Sequence, residues 1–210
     1  MSKTFTGLKL QGLIGRFGKT EICDIYGICP MPDEKVISGS EWGNVLVWEA
    51  GLVKLEVCRK NRRPCHNGPI TQIFLMNNEE IMTVGTDGLI CIWYWETVEL
   101  SDPPENDRVV EIEPSHEFRI GNSNYNAELL KIVNNDDDWY AQDGKGGIWW
   151  CDLSTNKRPL FPRQLFRCHA GEIVAMDTSS VSHFVCTLGV DGRLYIYNYL
   201  ERRLILHQQF

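Results

Sequence analysis

The chain has 210 residues, with 21 Lys and Arg against 28 Asp and Glu, a formal net charge of −7 and 43% hydrophobic residues. This composition is that of a soluble globular protein with enough chain to build a core. No apolar run approaches the ~20 residues of a membrane-spanning helix, and residues 1–7 lack the apolar stretch of a secretory signal. Because nucleic-acid binding depends on basic side chains, an acidic pI near 5.3 argues against a general DNA or RNA binder. We therefore expect neither a membrane nor a nucleic-acid partner.

The cysteines indicate the compartment. The closest spacings, from Cys23 to Cys29 and from Cys58 to Cys65, are too wide for a zinc knuckle. With no signal peptide and no glycosylation sequon, the chain fits a reducing, intracellular environment with free structural thiols. The eight cysteines are Cys23, Cys29, Cys58, Cys65, Cys91, Cys151, Cys168 and Cys186.

Four similar segments recur along the chain. Each begins at a turn and continues as a strand with alternating apolar residues, and the segments end at Trp48, Trp93, Cys151 and Tyr197. These ends lie 45, 58 and 46 residues apart, so the period is constant except between the second and the third. A regular period of this length is the signature of a repeat fold.

Each repeat contains four strand signals. Two short strands separated by a polar turn precede the segment just described, and an outer strand follows it, as at 52–57 and 203–206. Four antiparallel strands per repeat form the blade of a β-propeller, so the sequence predicts an all-β, partial propeller of about four blades within a larger ring. The expected divisions are 1–18 (outer strand of a preceding blade and linker), 19–60, 61–115, 116–163 (a divergent blade) and 164–210.

Residues 96–117 interrupt the period. They hold eight acidic residues and one basic residue, Arg108, so they account for the whole net charge, while the rest of the chain has 20 acidic and 20 basic residues. The prolines at 103 and 104 remove backbone donors and fix φ, which predicts an exposed loop. We therefore expect an acidic insertion, 96–117, in the second blade.

Two repeats carry a polar pattern that resembles the WD-repeat family. In that family an Asp accepts a hydrogen bond from a His, the His bonds a hydroxyl, and the hydroxyl accepts from a Trp N–H. Because a buried carboxylate is costly without donors, these residue types are expected to occur together as structural tetrads. The matching residues are His66, Thr83, Asp87 and Trp93 in the second repeat, and His169, Thr187, Asp191 and Tyr197 in the fourth.

The match to this family is incomplete. Cys151-Asp152 alone keeps the Asp of the terminal Trp-Asp dipeptide, and the first and third repeats have Gly18 and Tyr125 where the His is expected. The hydroxyl nevertheless lies four residues before the Asp position in three repeats, at Ser38, Thr83 and Thr187. The first and third blades are therefore expected to be divergent WD-type blades.

Longer stretches, 37–49, 54–66, 92–97 and 110–114, resemble a family of cilia- and flagella-associated proteins, whose long chains carry N-terminal WD repeats and then coiled coil. This resemblance implies a non-enzymatic axonemal scaffold that connects the motor domains of inner-arm dynein to the doublet microtubule and so regulates beating. It also implies a location in the cytoplasm, in the cytoskeleton and in the axoneme of the cilium or flagellum. The implied protein partners are cilia- and flagella-associated protein 43, inner-arm dynein and tubulin.

Two charged segments are the candidate interaction sites. In the family, a loop between blades and a loop after the third strand lie on opposite rims, so a basic rim and an acidic rim are expected. The basic rim would bind an acidic surface such as a tubulin tail, and the acidic rim a basic surface. The alternative is that both are solvated loops without a partner. The basic residues are Arg59, Lys60, Arg62 and Arg63, and the acidic ones are Glu99, Asp102, Glu105 and Asp107.

No group of residues predicts catalysis, a cofactor or a metal. Cys65-His66 and Cys168-His169 are sequence neighbours that would point to opposite faces of a strand, so they do not form a nucleophile and its base. The acidic run 136–138 lacks the Gly and Glu of a calcium-binding EF-hand loop. Two alternatives to an axonemal scaffold stay open: a WD-repeat subunit of another intracellular complex, such as intraflagellar transport or ribosome assembly, and a propeller enzyme.

Overall fold

The structure is a computed structural model that describes residues 15–16, 19–20, 23–76, 79–103, 107–122, 125–126, 128–135, 138–153 and 162–210. Its regular structure is almost entirely β, which confirms the all-β prediction. The chain divides into two compact units, Met1–Arg119 and Ile120–Phe210, each of which contains two large sheets. Of residues 1–18, where the outer strand of a preceding blade is expected, residues 1–14 lie outside the described residues.

The first sheet contains four antiparallel strands in sequence order, namely β1 (Ile25–Pro30), β2 (Val36–Ser40), β3 (Val45–Glu49) and β4 (Leu52–Cys58). The central strands β2 and β3 are buried on both faces, which suits their content of Val, Ile and Leu. The turn between them contains Gly43 with a φ of 91°, where a Cβ would lie 2.0 Å from the His66 carbonyl oxygen. This turn therefore requires glycine.

The second sheet is completed by a strand that begins at the end of the acidic insertion. In chain order, the elements of this part of the chain are β5 (Ile70–Met76), β6 (Glu80–Gly85), β7 (Leu89–Tyr94), α1 (Trp95–Glu99), β8 (Val109–Glu111) and β9 (His116–Arg119). Strand β9 pairs antiparallel with β7, which places Phe118 opposite Ile90 and gives the order β5-β6-β7-β9. The division expected at 115–116 thus precedes the outer strand of this sheet, which extends to Arg119.

Part of the insertion forms a strand on the first sheet, in addition to the exposed loop that its prolines predict. Strand β8 pairs in parallel with β4, with Val109 opposite Glu56 and Glu111 opposite Cys58. The physical reason is an apolar alternation within the acidic sequence, since Val110 and Ile112 pack against the core of this unit. The first sheet therefore has five strands in the order β8-β4-β3-β2-β1.

The core of the first unit lies between its two sheets. Strands of both sheets contribute to it, and Trp95 and Val98 of α1 pack at its margin. Because apolar area removed from water stabilises a fold by about 25 cal/mol per Å², this cluster is the main support of the unit. Its fully buried members include Ile37, Leu55, Ile70, Ile81 and Cys91.

The second unit contains the third and fourth sheets. Their strands are β10 (Leu129–Asn135), β11 (Asp138–Asp143), β12 (Gly147–Cys151), β13 (Arg163–Arg167), β14 (Ile173–Thr178), β15 (Phe184–Gly189), β16 (Arg193–Asn198) and β17 (Arg203–Gln209). Each sheet pairs its four strands antiparallel in sequence order. Strand β13 pairs with β12 and so belongs to the third sheet, although the expected division at 163–164 assigns most of it to the fourth.

Two short strand pairs, helix α1 and a 3₁₀ turn at Lys60–Arg62 complete the regular structure of the described residues. The pairs join Gly15–Arg16 to Lys19–Thr20 and Gly121–Asn122 to Tyr125–Asn126. Helix α1 has five residues, and across the described parts of the chain no helix is long and apolar enough to cross a bilayer.

Candidate functional site

The structure brings together all four residues of the tetrad expected in the second sheet. The Asp87 carboxylate lies 3.2 Å from His66 Nδ1, and Thr83 Oγ1 lies 2.8 Å from His66 Nε2. The Trp93 indole donates to the same hydroxyl over 2.9 Å. A carboxylate facing Nδ1 fixes the proton there, so Nε2 accepts from the Thr83 hydroxyl. These bonds connect the Asp-Gly turn to the centre of the sheet.

The carboxylate of this tetrad has further donors. Its oxygens accept from the backbone N–H of Asn67 at 2.8 Å and of Leu89 at 3.0 Å. Burial of Asp87 opposes ionisation, but the hydrogen bonds from the His66 ring and from the backbone N–H groups of Asn67 and Leu89 together outweigh it and lower the pKa of Asp87 below its ordinary value. The carboxylate therefore ties the loop before β5 to the turn before β7.

The fourth sheet has the same arrangement at three of the four expected residues. His169 Nδ1 lies 3.0 Å from Asp191, and His169 Nε2 lies 2.9 Å from the Thr187 hydroxyl. The backbone N–H of Ala170 and the bond from His169 help to lower the pKa of Asp191 to about 2. Burial, followed by the neighbouring Cys168 thiol, raises the pKa of Tyr197, the fourth expected residue.

The first and third sheets contain different buried polar networks. In the first, the Trp48 indole donates to the Ser38 hydroxyl over 2.7 Å, and Trp42, at the expected Asp position, donates over 3.0 Å to the buried Glu56 carboxylate. In the third, the Asp143 carboxylate accepts from the Trp149 indole at 2.7 Å and from the Gly147 N–H at 2.8 Å. Sequence reasoning missed Glu56 and Asp143.

One position explains how the sheets differ. It lies two residues before the Asp position, and it is glycine in the two sheets that have the histidine. A Cβ on Gly85 would lie 2.3 Å from His66 Nδ1, and a Cβ on Gly189 would lie 2.3 Å from His169 Nδ1, so these positions exclude a side chain. In the other two sheets it is Ser40 or Asp143, whose side chains hydrogen-bond within their own turns. A polar residue at this position is therefore the sequence signal that could have revealed the Asp143 network.

The basic cluster is paired within the chain. Arg59 forms an ion pair with Glu117, Arg62 forms one with Asp107, and Arg63 lies 3.6 Å from Glu113. This differs from the expectation of a basic rim opposite an acidic rim. The reason is that β8 carries the insertion along the edge of the first sheet to the loop that follows β4.

The beginning of the insertion lies at the other end of the first sheet. The Glu99 carboxylate accepts from Lys35 Nζ over 2.9 Å, and the same ammonium group pairs with Asp33 and lies 5.8 Å from the centroid of a Trp95 ring. The hydrogen bonds that the Lys35 ammonium donates to Asp33 and Glu99 raise the pKa of Lys35. The Asp102 side chain is exposed, and Glu105 lies outside the described residues.

The cysteine–histidine neighbours do not combine into a catalytic pair. Cys65 donates to the Val57 carbonyl oxygen over 3.2 Å, whereas the His66 ring faces Asp87 and Thr83. Burial raises the pKa of the Cys65 thiol well above its ordinary value, and burial also raises that of Cys168. All eight cysteines are free thiols, and in the described parts of the chain no group of three His, Cys, Asp or Glu side chains is placed to hold a metal ion.

The four sheets each have four antiparallel strands in the core, with the parallel strand β8 added to the first, and each has its own buried polar network; together they define the class of protein, a partial β-propeller of the WD type. Over its full length the chain resembles cilia- and flagella-associated protein 44. It is 42% identical to the protein of that name from Mus musculus over an alignment of 212 positions that covers 100% of this chain. No known family profile matches the chain.

Two distant relatives bear the same name. The chain is 29% identical to cilia- and flagella-associated protein 44 of Trypanosoma brucei brucei over 97% of its length, and 31% identical to that of Chlamydomonas reinhardtii over 96%. It spans only 11% of the mouse protein, 13% of the trypanosome protein and 12% of the algal protein. The similarity therefore concerns one segment of these much longer relatives.

Proposed function

We propose that this chain is a scaffold segment of a cilium- or flagellum-associated protein and that it acts through protein contacts and not through catalysis. The observation that carries the proposal is the full-length similarity to proteins named for cilia and flagella in three distantly related organisms. The fold supports it, because propeller blades present rims and edges to partners on a rigid framework. The buried networks serve that framework, since their polar groups are engaged with one another.

The finer proposal is that the whole protein is an axonemal subunit that tethers the motor domains of inner-arm dynein to the doublet microtubule and thereby regulates beating. Cilia- and flagella-associated protein 43, inner-arm dynein and tubulin are the proposed partners. This rests on the sequence resemblance to proteins named for cilia and flagella. Fold alone does not select a partner.

The test uses the full-length protein in ciliated cells. The tagged protein should be recovered from purified axonemes, and inner-arm dynein should be extracted from them at lower salt when this 210-residue segment is deleted. A control deletion of equal length elsewhere in the same protein distinguishes a loss of this segment from a general loss of stability. Recovery in the soluble fraction alone, with transport or ribosome-assembly factors, would contradict the proposal.

A further inference from the structure

The loop that follows β4 is shaped to accept carboxylates through its backbone. Residues 60–62 form a short 3₁₀ turn, and Asn61 and Arg62 have positive φ values of 59° and 53°. The backbone N–H of Lys60 donates to the Glu113 carboxylate over 3.0 Å, and that of Asn61 donates to Glu111 over 3.3 Å. Two consecutive N–H groups of this turn thus each bind a separate carboxylate of the insertion.

Arginine side chains of the same loop bind neighbouring carboxylates. The Arg59 side chain is only 12% exposed and lies against Glu117, with its Nε 4.0 Å from Glu113. Arg62 pairs with Asp107, and this hydrogen bond raises the pKa of Arg62. Guanidinium groups pair strongly with carboxylates of matching geometry. The loop and its arginines thus engage an acidic segment, residues 107–113, while Arg59 also pairs with Glu117 of β9 in the second sheet.

The adjoining sheet edge binds the backbone of that segment. The Glu56 N–H donates to the Arg108 carbonyl oxygen over 2.8 Å, and the Ile112 N–H donates to the Cys58 carbonyl oxygen over 2.8 Å. Val110 and Ile112 place apolar side chains against the core cluster. Main-chain pairing along an edge, with alternate side chains in apolar positions, is the way in which sheets bind extended peptides.

From these contacts we propose that the outer edge of β4 and the loop 59–63 form a binding site for an extended acidic peptide, and that residues 107–113 fill this site in cis. The site selects an acidic strand that carries alternating aliphatic residues. A tethered segment occupies its site at high effective concentration, so an acidic segment of another chain binds only when it displaces β8. The insertion is thus an internal ligand that closes the edge of the first sheet.

The first test separates the ligand from its site. Residues 102–113 are replaced by a Gly/Ser linker of equal length, and a labelled peptide with the sequence of residues 107–113 is titrated into this variant and into the unmodified chain. The linker variant should bind the peptide, and the unmodified chain should bind it at least about tenfold more weakly. Circular dichroism and protection of Cys65 from alkylation establish that the variant is folded.

Two controls make this test specific. Reversal of Arg59, Arg62 and Arg63 to Glu in the linker variant should abolish peptide binding. A scrambled peptide of the same composition should bind much more weakly, because it cannot place its aliphatic residues in the apolar positions. Equal binding of the scrambled peptide, or no binding to the folded linker variant, would overturn the proposal.

A second measurement uses the complete chain and needs no deletion. The Ile112 amide should be protected from hydrogen exchange in the unmodified chain, and Arg62→Glu should accelerate its exchange on the order of tenfold. Adding Asp107→Arg to Arg62→Glu reverses the ion pair and should restore protection. Exchange of Ile112 at the rate of an unstructured peptide in the unmodified chain would show that the segment does not occupy the edge.

Discussion

Replacing Asp87 by alanine removes the acceptor on which the tetrad of the second sheet depends. The carboxylate accepts from the His66 ring and from the backbone N–H groups of Asn67 and Leu89. Without it, the Nδ1–H of His66 has no acceptor, and His66 is buried, with only 1% of the residue exposed. The two backbone groups are nearer to solvent, so water can replace the carboxylate there.

The expected cost follows from that one stranded donor. A buried group that loses its hydrogen-bond partner costs about 1–3 kcal/mol, and we take about 2 kcal/mol for His66. For a chain of this size each kcal/mol lowers the melting temperature by about 2–4 °C, so Asp87→Ala should lower it by about 4–8 °C. Asp87→Asn keeps an acceptor oxygen for His66 and should cost less.

The assay is thermal and urea unfolding at neutral pH, followed by circular dichroism. Asp102→Ala is the matched control, because Asp102 is an exposed acidic residue of the same unit and should leave the midpoint unchanged. An unchanged midpoint for Asp87→Ala, or an equal drop for Asp102→Ala, would refute a stabilising role for the tetrad.

Three further predictions concern the equivalent networks. Gly85→Ala should destabilise by about 1–3 kcal/mol, since its Cβ would lie 2.3 Å from His66 Nδ1, whereas Gly144→Ala, with its nearest neighbour at 3.4 Å, should be tolerated in the same urea titration. Asp143→Ala should cost about 1–3 kcal/mol in chemical unfolding because the buried Trp149 indole loses its acceptor, and a cost no larger than that of Asp102→Ala would contradict this. The Asp191 carboxyl has a pKa of about 2 in the fold against an ordinary 3.8, so its stabilising effect is complete above about pH 4 and is lost as the pH falls towards 2. Melting curves across that range should show a smaller acid loss for Asp191→Asn than for the unmodified chain.

The strands and the tetrad could be expected from the sequence because their signals are local and periodic. Alternating apolar residues with regularly spaced turns indicate where strands run, and they do so for β4, which was expected at 52–57 and extends over Leu52–Cys58. The spacing of a hydroxyl four residues before an Asp likewise reflects one fixed hairpin geometry. The expected boundaries at 115–116 and 163–164 separate the outer strands β9 and β13 from the sheets to which they belong. The reason is that a connection of variable length lies between each outer strand and the strand that precedes it in the chain.

The sequence by itself therefore determined the repeat, the all-β class and the polar residues that belong together within a blade. Only the tertiary structure decided where the acidic insertion goes: Arg62 and Asp107 are 45 residues apart, and Arg59 and Glu117 are 58 apart. No local period specifies pairing at such distances, because it depends on which sheet edge is open and which charges adjoin it. The sequence places the net charge of −7 in one segment. In the folded chain, part of this charge is paired with arginines of the loop that follows β4, through the Arg59–Glu117 and Arg62–Asp107 ion pairs.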